Sequence, residues 1–211
     1  MDEATSGQTG TALREVRTPV ARRLADAVAE LHDVLFARHA VEELLNSWPT
    51  ESPTGPDTTV ARSLWTAALV TYARCFCGGV RQGTAKAISD QLSGLDREVH
   101  DWAIAMRSKH LEHSVNAFEQ ARVGVSLGPA PEYEVLGLAP LELFTILPDR
   151  QAAERFAKHT ERVHLLQVGA FQDLESQVLE DLGSWTAQRR IRLPGLELTP
   201  AGPQTDPARR R

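Results

Sequence analysis

Three long stretches of this 211-residue chain repeat apolar residues at steps of three and four, and the first and third begin on a residue that caps a helix. That repeat is the period of one helical face and is incompatible with the two-residue alternation of a half-buried strand. The first stretch runs from about Thr18 to Trp48. Thr18-Pro19 supplies an N-cap and a first-turn proline, and Leu24, Val28, Leu31, Leu35, Val41, Leu44 and Leu45 form the expected inward stripe. Three prolines and a glycine in Pro49–Asp57 then force a loop. The second covers about Thr58–Gly78, where Leu64, Trp65, Ala68, Leu69, Tyr72, Cys75 and Phe76 share one wide face and predict the most buried element. The third starts at Asp149 and is expected to continue to about Arg189, with Ala153, Phe156, Val163, Leu166, Phe171, Leu174, Val178 and Leu182 on its period.

Between the second and third lie a short helical piece near Ala85–Leu92, a break at Gly94 and a helix expected over about Asp96–Val115. Residues 122–147 change character. Val123, Val125 and Leu127 alternate with small residues, Gly128-Pro129-Ala130-Pro131 turns the chain, and Glu134–Gly137 and Leu141–Leu147 resume as two further apolar stretches. This predicts an antiparallel ribbon of two or three strands. The expected fold is therefore mainly α, an antiparallel helical bundle of four to five helices with a small antiparallel β-ribbon before the long last helix. Residues 13–189 form the single expected domain, residues 1–12 a disordered tail and residues 190–211 a disordered Arg- and Pro-rich tail.

Charge limits the partners. The formal total is −5, and from Arg189 onward six Arg face Glu197 and Asp206, so that end carries +4 and everything before it −9. Nucleic acid would therefore need a local basic patch rather than the overall field. Cys75 and Cys77 stand about 200° apart on a helix and cannot readily bridge each other, which reads as buried thiols of a reducing compartment. Met1–Gly10 is polar and acidic with no apolar stretch, so no signal peptide is expected, and the apolar run Leu64–Ala73 is about half what a bilayer requires. The expectation is a cytoplasmic protein with no membrane segment and no cofactor.

The densest chemistry lies in Met106–Asn116, which holds Arg107, Lys109, His110 and His113. On a helix, Leu95, Val99, Trp102 and Met106 form a narrow apolar stripe, with His110 and His113 in line with it and Arg107 on its edge. Two readings stay open: core histidines hydrogen-bonded to facing groups, or a cleft where the stripe meets another helix or subunit. In a cleft, His113 has the pKa for acid–base work and Arg107 the fork for a phosphate; His110, Lys109 and Asn116 would support them. His100, His110 and His113 lack a flanking Glu or Cys at ligand spacing, so no metal site is expected. His32, His39, His159 and His164 sit among Arg and Glu on long helices and read as solvated or edge residues. Cys77-Gly78-Gly79-Val80 leaves a helix and lacks the lysine of a phosphate loop, and Ser63 and Ser114 have no nucleophile elbow.

The Arg-x5-His pattern of Arg107 and His113, borne late in a helical domain, resembles the HEPN family (higher eukaryotes and prokaryotes nucleotide-binding). The resemblance covers roughly residues 18–115. It implies a four- or five-helix bundle, frequent homodimers and metal-independent endoribonuclease activity in bacterial toxin, stress or defence systems, with RNA and an antitoxin as partners. It also implies that Arg107 and His113 are the catalytic pair. This chain has Ser108 where the family typically carries Asn, Asp or His, and Val115 where some toxin members carry a tyrosine. The alternative from a different class is a non-catalytic helical module that acts through protein–protein contact.

Overall fold

The computed structural model describes residues 13–49, 56, 58–77, 81, 83–108, 119–144, 147–198, 200 and 202. Among them run six helices and one two-stranded sheet: α1 (Pro19–Asn46), α2 (Thr59–Phe76), α3 (Ala85–Gln91), α4 (Gly94–Met106), β1 (Glu119–Leu127), β2 (Val135–Phe144), α5 (Arg150–Gly183) and α6 (Ala187–Ile191). The chain is mainly helical, with the antiparallel ribbon preceding the long helix α5. Three of the long helices start on side-chain caps. Thr18 accepts from the Ala21 N–H at 3.1 Å, Thr58 from Ala61 at 3.1 Å and Asp149 from Ala152 at 2.7 Å.

Helix α1 is the centre of the bundle and packs along both α2 and α5. Cys75 near the end of α2 reaches the Glu30 carbonyl, and Arg38 of α1 reaches Glu161 of α5 at 3.5 Å. The residues before α1 pair with those after α6, Glu15 N–H to Pro194 C=O at 2.9 Å. Both neighbours therefore run antiparallel to α1. Helix α4 lies across α2 and α5, and the core joins Val34, Val41, Leu44, Trp65, Leu69, Tyr72, Ile88, Ala103, Phe156 and Val163. Trp65 is fully enclosed, 5.9 Å from the Trp102 ring and 5.5 Å from Phe156.

The inward face of α1 is turned relative to the expected stripe. Its buried residues are Ala27, Glu30, Asp33, Val34, Ala37, Ala40, Val41 and Leu44, whereas Val28 and Phe36 face solvent. Alanines at 27, 37 and 40 let neighbouring helices approach closely, and the two acids have dedicated partners. One Glu30 carboxylate oxygen accepts from the Thr84 N–H at 2.7 Å, the Thr84 hydroxyl at 3.2 Å and the Ala85 N–H at 3.0 Å, and so caps α3 from another helix. Asp33 takes Arg74 and Arg81. Burial pushes the Asp33 carboxyl up, but the two guanidinium groups outweigh it and hold it below the usual carboxylate range.

Two other boundaries differ from expectation. The last long helix ends at Gly183 rather than near Arg189, because Ser184 caps it and Thr186 opens the separate helix α6 by accepting from the Arg189 N–H at 3.3 Å. Residues 193–196 then run beside 13–15, with Arg14 and Gly195 bridged. The first part of the segment expected as a tail is thus tied to the other end of the chain. The ribbon, expected with two or three strands, has two: 135–144 is one continuous strand, paired from Glu119↔Phe144 to Leu127↔Val135 with a bulge at Ser126/Leu127. The expected tail 1–12 and the arginines 209–211 lie outside the described residues.

Candidate functional site

Helix α4 begins after Leu92 and Ser93 extend the chain and Gly94 adopts a left-handed φ of 54°, a turn that a side chain would resist. From there the stripe Leu95, Val99, Trp102, Met106 closes only in part: Val99, Trp102 and Met106 pack against the edge of the core, and Leu95 is exposed. The stripe forms one wall of a cleft of about 480 Å³, whose other wall is Leu147, Pro148, Asp149, Ala152 and Arg155 at the start of α5. Glu98 adds an acid to the same lining. The side of α4 turned inward is the adjacent one, carrying His100 and Ala103.

Arg107 follows Met106 directly and is the C-cap of α4, its N–H bonded back to Ala103 and Ile104 carbonyls as the helix widens. The side chain is half-buried and engaged within the protein. The partners expected beside it, Lys109, His110, His113 and Asn116, lie outside the described residues. Arg107 thus follows the cleft residue Met106 in sequence and is not itself part of the lining.

On the inward side of α4 runs a polar chain, buried at Tyr72, His100 and His159, that the apolar periodicity did not reveal. The Tyr72 hydroxyl lies 2.7 Å from His100 Nδ1 and 2.6 Å from His159 Nε2. His159 Nδ1 faces an Asp96 carboxylate oxygen at 3.3 Å, and His100 Nε2 faces the Ser89 hydroxyl at 3.3 Å. With both rings neutral, as their burial favours, a carboxylate that can only accept sets the direction of each bond. His159 donates from Nδ1 to Asp96 and accepts the Tyr72 proton on Nε2. His100 then donates from Nδ1 to the Tyr72 oxygen and accepts from Ser89 on Nε2. Both rings are neutral in this arrangement. Burial pushes His100 down to about 4, with His159 as a further cause, and burial likewise lowers His159 despite the neighbouring Asp96. The Tyr72 hydroxyl is pushed well above the usual phenol value by the same burial.

This chain joins α2, α3, α4 and α5, so it holds the helix that carries Arg107. His159 is buried, a correction to its expected place on a solvated face; its neighbours Lys158 and Glu161 masked the fact that it falls between Phe156 and Val163 on the inward side of α5. His32 and His39 are exposed, as expected of solvated positions. Trp65 and Tyr72 are core residues and Phe76 packs against that core, as the shared face predicted. Cys75 is buried with its thiol pushed up to about 12 by desolvation, too high for a nucleophile, and both cysteines are free.

Among the described residues no three His, Cys, Asp or Glu side chains converge as a metal site, and no helix is long and apolar enough to cross a membrane. The chain matches no protein-family model, curated protein or solved structure with which it was compared.

Proposed function

We propose that this chain is a HEPN-like, metal-independent ribonuclease or RNA-binding protein of a bacterial toxin, stress or defence system, acting in the cytoplasm. The observation that carries the proposal is the position of Arg107, at the end of α4 and next in sequence to a cleft lined by Trp102 on one wall and Arg155 on the other. An apolar cleft with an indole in its wall suits an unstacked base, and a cation suits the phosphate beside it. In this reading His113 takes the 2′-hydroxyl proton as that oxygen attacks phosphorus. The bond to the 5′-oxygen breaks, and a protonated group, His113 or His110, supplies the proton it needs. Arg107 stabilises the charge that gathers on the phosphoryl oxygens.

The test is cleavage of mixed RNA in EDTA by wild type, Arg107→Ala and His113→Ala, with thermal unfolding and mass checked for each. The expected result is cleavage by wild type and a loss of about 100-fold or more in both folded variants. Absence of wild-type cleavage and of RNA binding overturns the reading. The rival, a non-catalytic interaction module, is favoured by one specific observation: the apolar face of the ribbon.

A further inference from the structure

Among the described residues the ribbon makes its extensive contacts between its own strands, and its register sorts its residues onto two faces. Cross-strand partners share a face, so Val123 with Pro140 and Val125 with Leu138 lie together; Leu127, and Leu136 by alternation from Leu138, extend the same side toward the tip, where the bulge sets Val135 opposite Leu127. Four of the six on that side are more than half exposed: Val123 71%, Val125 51%, Leu136 65% and Leu138 73%. The opposite face pairs Arg122 with Leu141, Gly124 with Ala139 and Ser126 with Gly137. The tip half of one side is a continuous aliphatic surface, with Glu142 and Glu119 at register positions on the same side farther from the tip, and the other side mixes the exposed Leu141 with small and polar residues.

We infer that this aliphatic face is a self-association surface, occupied by the same face of a second copy of the chain. Three observations lead there. A lone two-stranded ribbon is marginal in water and needs its apolar side covered. At roughly 100 Å² per aliphatic side chain the face offers on the order of 600 Å², most of the ~800 Å² each partner gives to a standard interface. A second twisted ribbon of the same hand is the surface that fits it, and two such faces stack into a four-stranded sandwich with a two-fold axis. No charged residue lies among the six, so a two-fold axis through the centre of that patch sets aliphatic groups on aliphatic groups, with Glu142 and Glu119 toward the far end of the same side. Growth by edge addition along β2 is interrupted, because Pro140 has no N–H to offer. The tip acids Glu132 and Glu134 disfavour both an anionic bilayer and nucleic acid as the occupant. This surface is separate from Arg107 and the cleft, so its test does not depend on RNA chemistry.

The experiment is sedimentation equilibrium of the full chain, wild type against Leu138→Glu and against the strand-favouring pair Val125→Thr with Leu138→Thr, with Leu141→Glu as the opposite-face control. The expected result is a wild-type dimer, a dissociation constant raised about 100-fold by Leu138→Glu and about 10-fold by the threonine pair, and no change in Leu141→Glu. Circular dichroism should show the helices intact in every variant. A wild-type monomer at all concentrations overturns the inference, and vesicle binding by that monomer reassigns the face to a bilayer. A dimer weakened equally by Leu141→Glu, or unaffected by both Leu138→Glu and the threonine pair, also overturns it. Should Leu138→Glu misfold, the threonine pair, which keeps β-branched residues in the strands, decides.

Discussion

The Tyr72 hydroxyl is a single atom on which two buried rings depend. With Phe at that position, His100 Nδ1 and His159 Nε2 each lose a partner in a region water does not reach. Two unsatisfied buried groups cost about 1–3 kcal/mol each, so Tyr72→Phe should lower the unfolding free energy by about 2–6 kcal/mol, read as a lower denaturant midpoint with an unchanged slope. The same rings set a pH dependence. The unfolded chain protonates histidine near 6.5, but folded His100 stays neutral down to about 4. The unfolded state therefore binds more protons in that window, and stability rises with pH across it. Their contribution is complete above pH 6.5 and is lost as pH falls toward 4, roughly 3 kcal/mol for His100 alone. Unfolding measured from pH 7 to 4.5 should show this loss, and a flat profile would contradict the neutral chain. Asp33 acts in a lower window. Its depressed pKa gives stability that is present above the ordinary carboxylate value and disappears as pH falls through the depressed one.

Elements here are joined through polar groups at their ends as much as through apolar faces. Helix α3 has only seven residues, and Thr84 gives it no side-chain cap; the buried Glu30 of α1 accepts its first N–H groups instead. Gly83 sits against that carboxylate so closely that any Cβ would fall on it. Gly83→Ala should therefore displace Glu30 and destabilise the fold by about 1–3 kcal/mol, read as a shift in unfolding midpoint. An ordinary cap behaves more mildly: Asp149→Ala at the start of α5 should cost about 1 kcal/mol. Measurement of equal losses at both sites would mean that the Glu30 contact carries no more than a surface cap.

At the scale of the molecule, the helical body and the ribbon are nearly independent. Replacing residues 121–142 by a short Gly-Ser link should leave the thermal midpoint of the body within a few degrees, since the core contains no ribbon residue. A large fall in that midpoint would show that the ribbon supports the bundle. The same separation places the cleft and the aliphatic face at different parts of the chain, so catalysis and self-association can be removed one at a time by substitution.

Much of the architecture was legible in the chain because helical period and capping are local. Thr18, Thr58 and Asp149 mark the starts of α1, α2 and α5, and the face of Trp65, Leu69 and Tyr72 is the core face of α2. Arg107 stood out by composition alone. What periodicity could not supply was the identity of partners distant in sequence. Glu30 and Asp33 turn inward because Thr84, Arg74 and Arg81 meet them, and His159 is buried because Tyr72 and Asp96 lie 87 and 63 residues away. A polar side chain can enter a core only where its hydrogen bonds are satisfied, and that is decided when the helices pack. So the sequence by itself determined the long helices, where they start, and the ribbon. The tertiary structure decided which face of α1 is inside, that the α4 stripe opens on a cleft, and that two histidines are held neutral around one tyrosine.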